Sequence, residues 1–302
     1  MAAFFANLGI AIAKFVGFLI TRSAGMLAES VHSFADTGNQ GLLMLGGSRA
    51  KRVPSPEHPF GYGRERYFWA FSVALVLFSM GGLFALYEGI EKFRHPHEID
   101  SLWVAIGILS FGIVLESFSL RTAVKEAQRH KGPGVSWWGF IRNSKEPELP
   151  VVLLEDVGAE LGLVLALFGV IMAKASGDGR WDAVGSISIG ILLIVIAIVL
   201  IIEMKALLIG ESASRPDRDR IAAVIEGAPG VGHLIHLRTQ HLGPDEILVA
   251  AKVEFDADLT FAELAAIIDA TEAEIRAAVP DARMIYIEPD VARDTPATPD
   301  PH

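Results

Sequence analysis

The sequence predicts an α-helical membrane protein: six transmembrane helices over residues 1–210, a small cytosolic α+β domain over 211–290 and a disordered tail over 291–302. Three observations carry this expectation. Apolar stretches recur six times, at roughly 2–21, 26–48, 67–92, 101–122, 149–173 and 183–209; about 20 helical residues cross a bilayer. Beyond residue 211 the pattern changes to short helix and strand periods. Charge divides at the same place. Of the net −10, residues 212–302 carry −9, from 17 Asp/Glu against 8 Lys/Arg.

Composition excludes several functions at once. With a mean hydropathy of +0.41 the chain is a membrane protein with room for one soluble module. Its acidic balance offers no basic surface for nucleic acid. It has no cysteine, so disulfides and thiolate metal sites are excluded, and any metal must be held by nitrogen and oxygen. Eleven Lys/Arg fall in two connections, 49–66 and 121–149, against Arg22, Lys92, Arg94, Lys174 and Arg180 in the other three. That asymmetry places both basic connections and both termini in the cytoplasm. The chain enters an apolar run at once, without an Arg-rich transit segment, which favours a bacterial plasma membrane over an organellar precursor.

In the first segment, Lys14 either snorkels or faces the bundle. The second segment contains Glu29-Ser-Val-His-Ser-Phe-Ala-Asp-Thr-Gly-Asn-Gln40. His32 and Asp36 are four residues apart and stack on one helix face. Ionisable groups at that depth are expensive and face a pathway or a partner helix. Such a pair can grip a divalent cation from one side, or it can hydrogen-bond between helices. The Pro/Gly-punctuated connection 54–66 cannot be helical throughout. Within it, His58 and Glu65 either bind metal at the cytoplasmic mouth or belong to a structural loop.

Gly81, Ala85 and Gly89 form a small-residue ladder on the third segment, and a dimer contact is one use for it. Glu88 lies near the outer end of that segment. Glu116, deeper in the fourth, suits either proton handling or a structural hydrogen bond. Trp137-Trp138 suit an interfacial belt. The fifth segment opens with Val151-Val-Leu-Leu-Glu-Asp-Val-Gly-Ala-Glu160. Glu155 and Asp156 point about 100° apart, and Glu160 lies one turn beyond Asp156. The sixth segment is apolar all round.

The soluble part reads as a helix over 216–227, strands over 233–240 and 246–255 around Gly243-Pro244, a helix from the capping box Thr260-Phe-Ala-Glu263 to about Ala278, and a strand over 284–287. The order αββαβ is ferredoxin-like and forms two layers.

Several phrases now point one way. Ala28-Glu-Ser-Val-His-Ser-Phe-Ala-Asp36, His58-Pro-Phe-Gly-Tyr-Gly63 and Leu237-Arg-Thr239 resemble the cation diffusion facilitator family over nearly the whole chain. Asp36-Thr-Gly-Asn-Gln-Gly-Leu-Leu43 and Val152-Leu-Leu-Glu-Asp156 resemble its mitochondrial zinc transporter branch and the bacterial relatives of that branch. The resemblance implies a homodimer and a metal site built from His32, Asp36 and Asp156. The family's fifth helix carries a His-x-x-x-Asp pair, but Val152 stands at the histidine position. Glu155, Glu160 or water then completes the site, and the Leu-Glu-Asp phrase favours Glu155. The family's cytosolic domain often binds metal through histidines. His233, His236 and His241, with Glu288 and Asp290, are candidates here, or else surface residues, and Ile235 stands at one prominent histidine position.

The expected activity is proton-coupled antiport exporting divalent metal, Zn²⁺ first, with no cofactor. Its partners are the metal, protons, the bilayer and a second copy of the chain. Bound metal and bound protons exclude each other on such ligands, which couples their movements. No Gly-x-x-x-x-Gly-Lys-Ser/Thr occurs, so no ATP-binding loop is read. The alternatives are a Mn²⁺, Fe²⁺, Co²⁺ or Cd²⁺ antiporter, a membrane metal sensor, or an intramembrane metalloenzyme that activates water at His32, Asp36 and Asp156.

Overall fold

The computed structural model describes residues 2–96 and 102–291, apart from the side chains of residues 2–7, 24, 25, 32, 77 and 78. The expected tail falls almost wholly outside the described residues. The chain divides into two units, one of Met1–Pro54 with Arg64–Leu208, the other of Ser55–Gly63 with Ile209–His302.

In the first unit the apolar runs become α1 (Ala2–Thr21), α2 (Ala24–Ala50), α3 (Glu65–Val73), α4 (Ser79–Arg94), α5 (Leu102–His130), α6 (Trp137–Asn143), α7 (Glu148–Ser176) and α8 (Arg180–Ile209). A π-helical turn, Ala74–Phe78, joins α3 to α4 in one rod of 30 residues. Among the described residues, six long rods therefore stand where six spans were expected. Among the described residues, Glu65–Arg94, Leu102–His130 and Arg180–Ile209 are long and apolar enough to cross a membrane. α1 adds a shorter apolar stretch, while α2 and α7 carry the polar residues of the site described below. Phe111 and Phe118 of α5, Phe168 of α7, and Ile191, Ile198 and Ile202 of α8 face outward. In hydrocarbon that apolar exterior is no liability, because every helix satisfies its own backbone. The short α6 was not expected. Ser136 caps it at the Gly139 N–H, and Phe140 and Ile141 are buried.

The small-residue ladder is used inside the chain, which corrects the dimer-contact expectation. Ser186 on α8 donates to the Ala85 carbonyl at 2.9 Å. A Cβ on Gly82 would come within 3.0 Å of the Gly190 carbonyl. α4 and α8 thus pack almost backbone to backbone, as small residues permit.

At the end of the bundle holding the α1–α2 turn, Arg22 takes a left-handed conformation (φ 55°). Its carbonyl accepts from Lys92 Nζ at 2.7 Å. The same ammonium donates to Asp182 Oδ2 at 2.8 Å, and Ser23 Oγ donates to Asp182 Oδ1 at 2.6 Å. One buried ion pair thereby ties the starts of α2 and α8 to the end of α4.

The second unit contains α9 (Arg215–Gly227), β1 (Val231–Gly243), β2 (Glu246–Phe255), α10 (Phe261–Ala278) and β3 (Ala282–Asp290). This is the expected αββαβ order. β2 is central, antiparallel to β1 and parallel to β3. Ile221 and Ile225 of α9, Val249 and Val253 of β2, and Ile275 of α10 form its core. The capping box is present: Thr260 N–H donates to Glu263 at 2.9 Å and Thr260 Oγ accepts from the Glu263 N–H. Hydrogen bonds from Thr260 hold the Glu263 carboxyl below its ordinary value. β1 and β3 run longer than expected; bulges interrupt the alternation of β1, and Pro289 sits on an edge strand, where a missing N–H is tolerated. Ile275→Ala should cost this unit about 2–5 kcal/mol, measured by thermal denaturation.

Residues 55–63 group with this unit. Ser55 and His58 form a bridge, the His58 and Tyr62 rings stack at 4.6 Å, and a Cβ on Gly63 would come within 3.0 Å of Gly243 Cα.

Candidate metal centre

α2 presents Glu29, Ser33 and Asp36 at helical spacing, all buried. It packs against α1 and α7, and α5 lies along α7. Their facing sides leave a polar cavity lined by Ile10, Ser33, Asp36, Glu116, Glu155, Asp156 and Ala159. Asp36, Glu155 and Asp156 are 7%, 3% and 9% exposed. Neighbours hold Glu155 and Asp156 in place. Asn39 donates to Glu155, and Ser119 Oγ lies 3.2 Å from both Asp156 oxygens.

The structure therefore brings Asp36, Glu155 and Asp156 to one cavity and adds Glu116. The backbone of His32 is part of α2, one turn before Asp36, but its side chain lies outside the described residues. Among the described residues no three His, Asp or Glu side chains are gathered closely enough to hold a metal as they stand. Glu160 is not in the lining; it accepts from Ser117 at 2.9 Å. Val152 is half-buried against the apolar cluster of the bundle and does not line the cavity.

Lys14 faces the bundle, at 2% exposure. Its ammonium donates to Ser33 at 2.8 Å and pairs with Glu29 at 3.4 Å and Glu116 at 3.6 Å. The Glu29 carboxylate presses on α7 at Gly162, where an added Cβ would fall on its oxygen. Gly162→Ala should therefore displace Glu29 and cut transport with expression retained, measured by vesicle uptake beside size-exclusion profiles.

The other candidates are engaged elsewhere. His58 stacks on Tyr62, and Glu65 accepts from Trp69 Nε1 at 2.7 Å. In the α+β unit His241 is buried, its Nδ1 3.3 Å from the Gly243 carbonyl. His233 and His236 are exposed and sit opposite Glu254 and Lys252. Glu288 and Asp290 are paired with Lys252 at 3.1 and 3.0 Å. Hydrogen bonds to Asp290 and Glu288 raise the Lys252 ammonium above the usual lysine value.

The pattern of the cation efflux transmembrane domain matches residues 1–209. The chain belongs to the cation efflux family. That of the cation efflux protein cytoplasmic domain matches residues 213–290. This cation efflux protein is 33% identical over 244 residues to the human "Proton-coupled zinc antiporter SLC30A9, mitochondrial", covering 80% of this chain and 43% of the relative. It is 27% identical to "Metal tolerance protein C4" of Arabidopsis thaliana, covering 82% of this chain and 54% of the relative. It is 24% identical to "Magnetosome protein MamB" of Magnetospira sp., covering 94% and 92%. A solved nickel form of the MamM CTD matches 26% of this chain and 100% of its own, at 21% identity and TM-score 0.25. The chain spans about two fifths of the length of the mitochondrial relatives. As a cation efflux protein it is a multi-pass membrane protein of a transporter family, and the intramembrane-enzyme reading falls away.

Proposed function

We propose that this chain is a proton-coupled antiporter that exports divalent metal, Zn²⁺ foremost, from the cytoplasm of a bacterium across its plasma membrane. In this reading it works as a homodimer with both termini cytoplasmic. The observation that carries the reading is the meeting of Asp36 from α2 with Glu155 and Asp156 from α7 at one buried polar cavity. His32 is the nitrogen ligand, and the three carboxylates supply oxygen. Metal binds only deprotonated carboxylate and neutral imidazole, so each metal taken up displaces protons, and protons entering from the far side release it. Exposing the cavity to one side at a time turns that competition into coupled antiport. The mitochondrial antiporter relatives support this mechanism, and the cytoplasmic-domain match supports the homodimer.

The test is uptake into proteoliposomes, scanned over Zn²⁺, Cd²⁺, Mn²⁺, Fe²⁺ and Co²⁺. An acidic vesicle interior is expected to accelerate Zn²⁺ entry. Entry indifferent to the pH gradient overturns proton coupling; no entry of any metal leaves a sensor as the better reading. A second reading, Mn²⁺ or Fe²⁺ as the cargo, draws support from the oxygen-rich lining and from Val152 standing where a further imidazole would. Harder oxygen ligands favour those metals. The two readings part at His32→Ala, which should cripple Zn²⁺ uptake but spare most Mn²⁺ uptake if Mn²⁺ is the cargo.

A further inference from the structure

We propose that Lys14 is a tethered counter-cation of the transport cavity, competing with the incoming metal for Glu116. The inference rests on the transport reading above and adds to it a positioning residue that is not a ligand. A buried ammonium is costly unless it is paired, and Lys14 has partners of two kinds. Glu116 and Ser33 line the cavity together with Asp36, Glu155 and Asp156. Glu29 does not line it; it is fully buried behind, its carboxylate wedged over Gly162. Glu29 Oε1 is buried and has no hydrogen-bond partner among the described residues.

Lys14 therefore stands between a fixed anion behind the cavity and a cavity-facing anion in front of it. With no metal present, its charge offsets that of Glu116. A divalent ion entering the cavity meets a like charge already in place, and the two compete for the same carboxylate. Glu29 makes the exchange affordable: Lys14 can release Glu116 and keep an anion. The resident charge weakens metal binding and hastens release, which suits a carrier that must let go of its cargo. A purely structural ion pair, joining α1 to α2 and α5, would have no such effect on affinity.

The experiment uses the full chain in detergent, titrated calorimetrically with Zn²⁺ at one fixed pH, and the same variants in proteoliposomes. Lys14→Met should bind Zn²⁺ at least about tenfold more tightly, with both KM and the maximal rate reduced. Lys14→Arg should stay near wild type. Glu116→Gln alone should weaken binding, and Lys14→Met added to it should tighten binding by clearly less than about tenfold, the non-additivity expected of groups in contact; a full gain of about tenfold there overturns competition for Glu116. Folded Lys14→Met that binds no more tightly than wild type overturns the proposal, as does Lys14→Arg behaving like Lys14→Met. Should Lys14→Met fail to fold, Lys14→Gln takes its place: folded protein that binds Zn²⁺ no more tightly than wild type overturns the proposal. Wild-type protein whose Zn²⁺ binding is absent, or is indifferent to Asp36→Ala, overturns the transport reading itself and this inference with it.

Discussion

Asp36→Ala and Asp156→Ala should each abolish metal transport while leaving the protein folded and in the membrane. The two carboxylates come from different helices, α2 and α7, and line the same buried cavity. On the proposed ligand set the transport site has few ligands and cannot spare one. Groups that merely orient a ligand already cost about 10–100-fold when removed, so loss of the ligand itself should exceed that range. Ser119→Ala supplies the internal scale, because Ser119 holds both oxygens of Asp156 without being a ligand. The order expected in vesicle uptake is wild type, then Ser119→Ala, then Asp156→Ala with no signal. Full uptake by either alanine variant at low metal would remove that residue from the site.

Asp182→Ala should produce the largest loss of stability. Asp182 is fully buried and accepts from both Lys92 and Ser23. Its removal leaves the Lys92 ammonium buried, with the Arg22 carbonyl still accepting from it. Breaking one side of a buried pair costs about 3–5 kcal/mol, seen as a lower melting temperature in detergent. The pair itself has a much smaller net worth, because both charges must be desolvated. Lys92→Met with Asp182→Leu should therefore recover much of the loss. A double variant no more stable than Asp182→Ala would mean that the contacts to Arg22 and Ser23, and not the charges, hold this end together.

The long helices were legible because a span of hydrocarbon leaves a run that nothing else in the sequence imitates. The α+β order was legible for a local reason: Thr260 and Glu263, and Gly243 with Pro244, mark element ends within a few residues of one another. The candidate ligands on α2 and α7 announced themselves as charge in apolar surroundings. What stayed hidden was pairing across distance. Lys92 and Asp182 are 90 residues apart, and nothing in either neighbourhood names the other. Lys14 showed as an anomaly, but its partners Glu29 and Glu116 come from two other helices. The small-residue ladder on α4 was visible as a contact surface, yet its partner, α8, reads from sequence as an unbroken apolar run. α6 is seven residues long, too short for its period to be distinguished from an interfacial pair of tryptophans.

The company kept by residues 55–63 bears on how the protein can be cut and how it can vary. A soluble fragment begun near Ile209 would fold without a piece of its own unit, leaving the tip of the β1–β2 hairpin at Leu242 and Gly243 uncovered where Gly63 now lies. Properties measured on such a fragment would describe an incomplete surface. A connection between two membrane helices would ordinarily tolerate insertions, but this one is fitted to a structure encoded some 180 residues downstream (63 to 243). Its length and its Gly63 should drift only in concert with that hairpin.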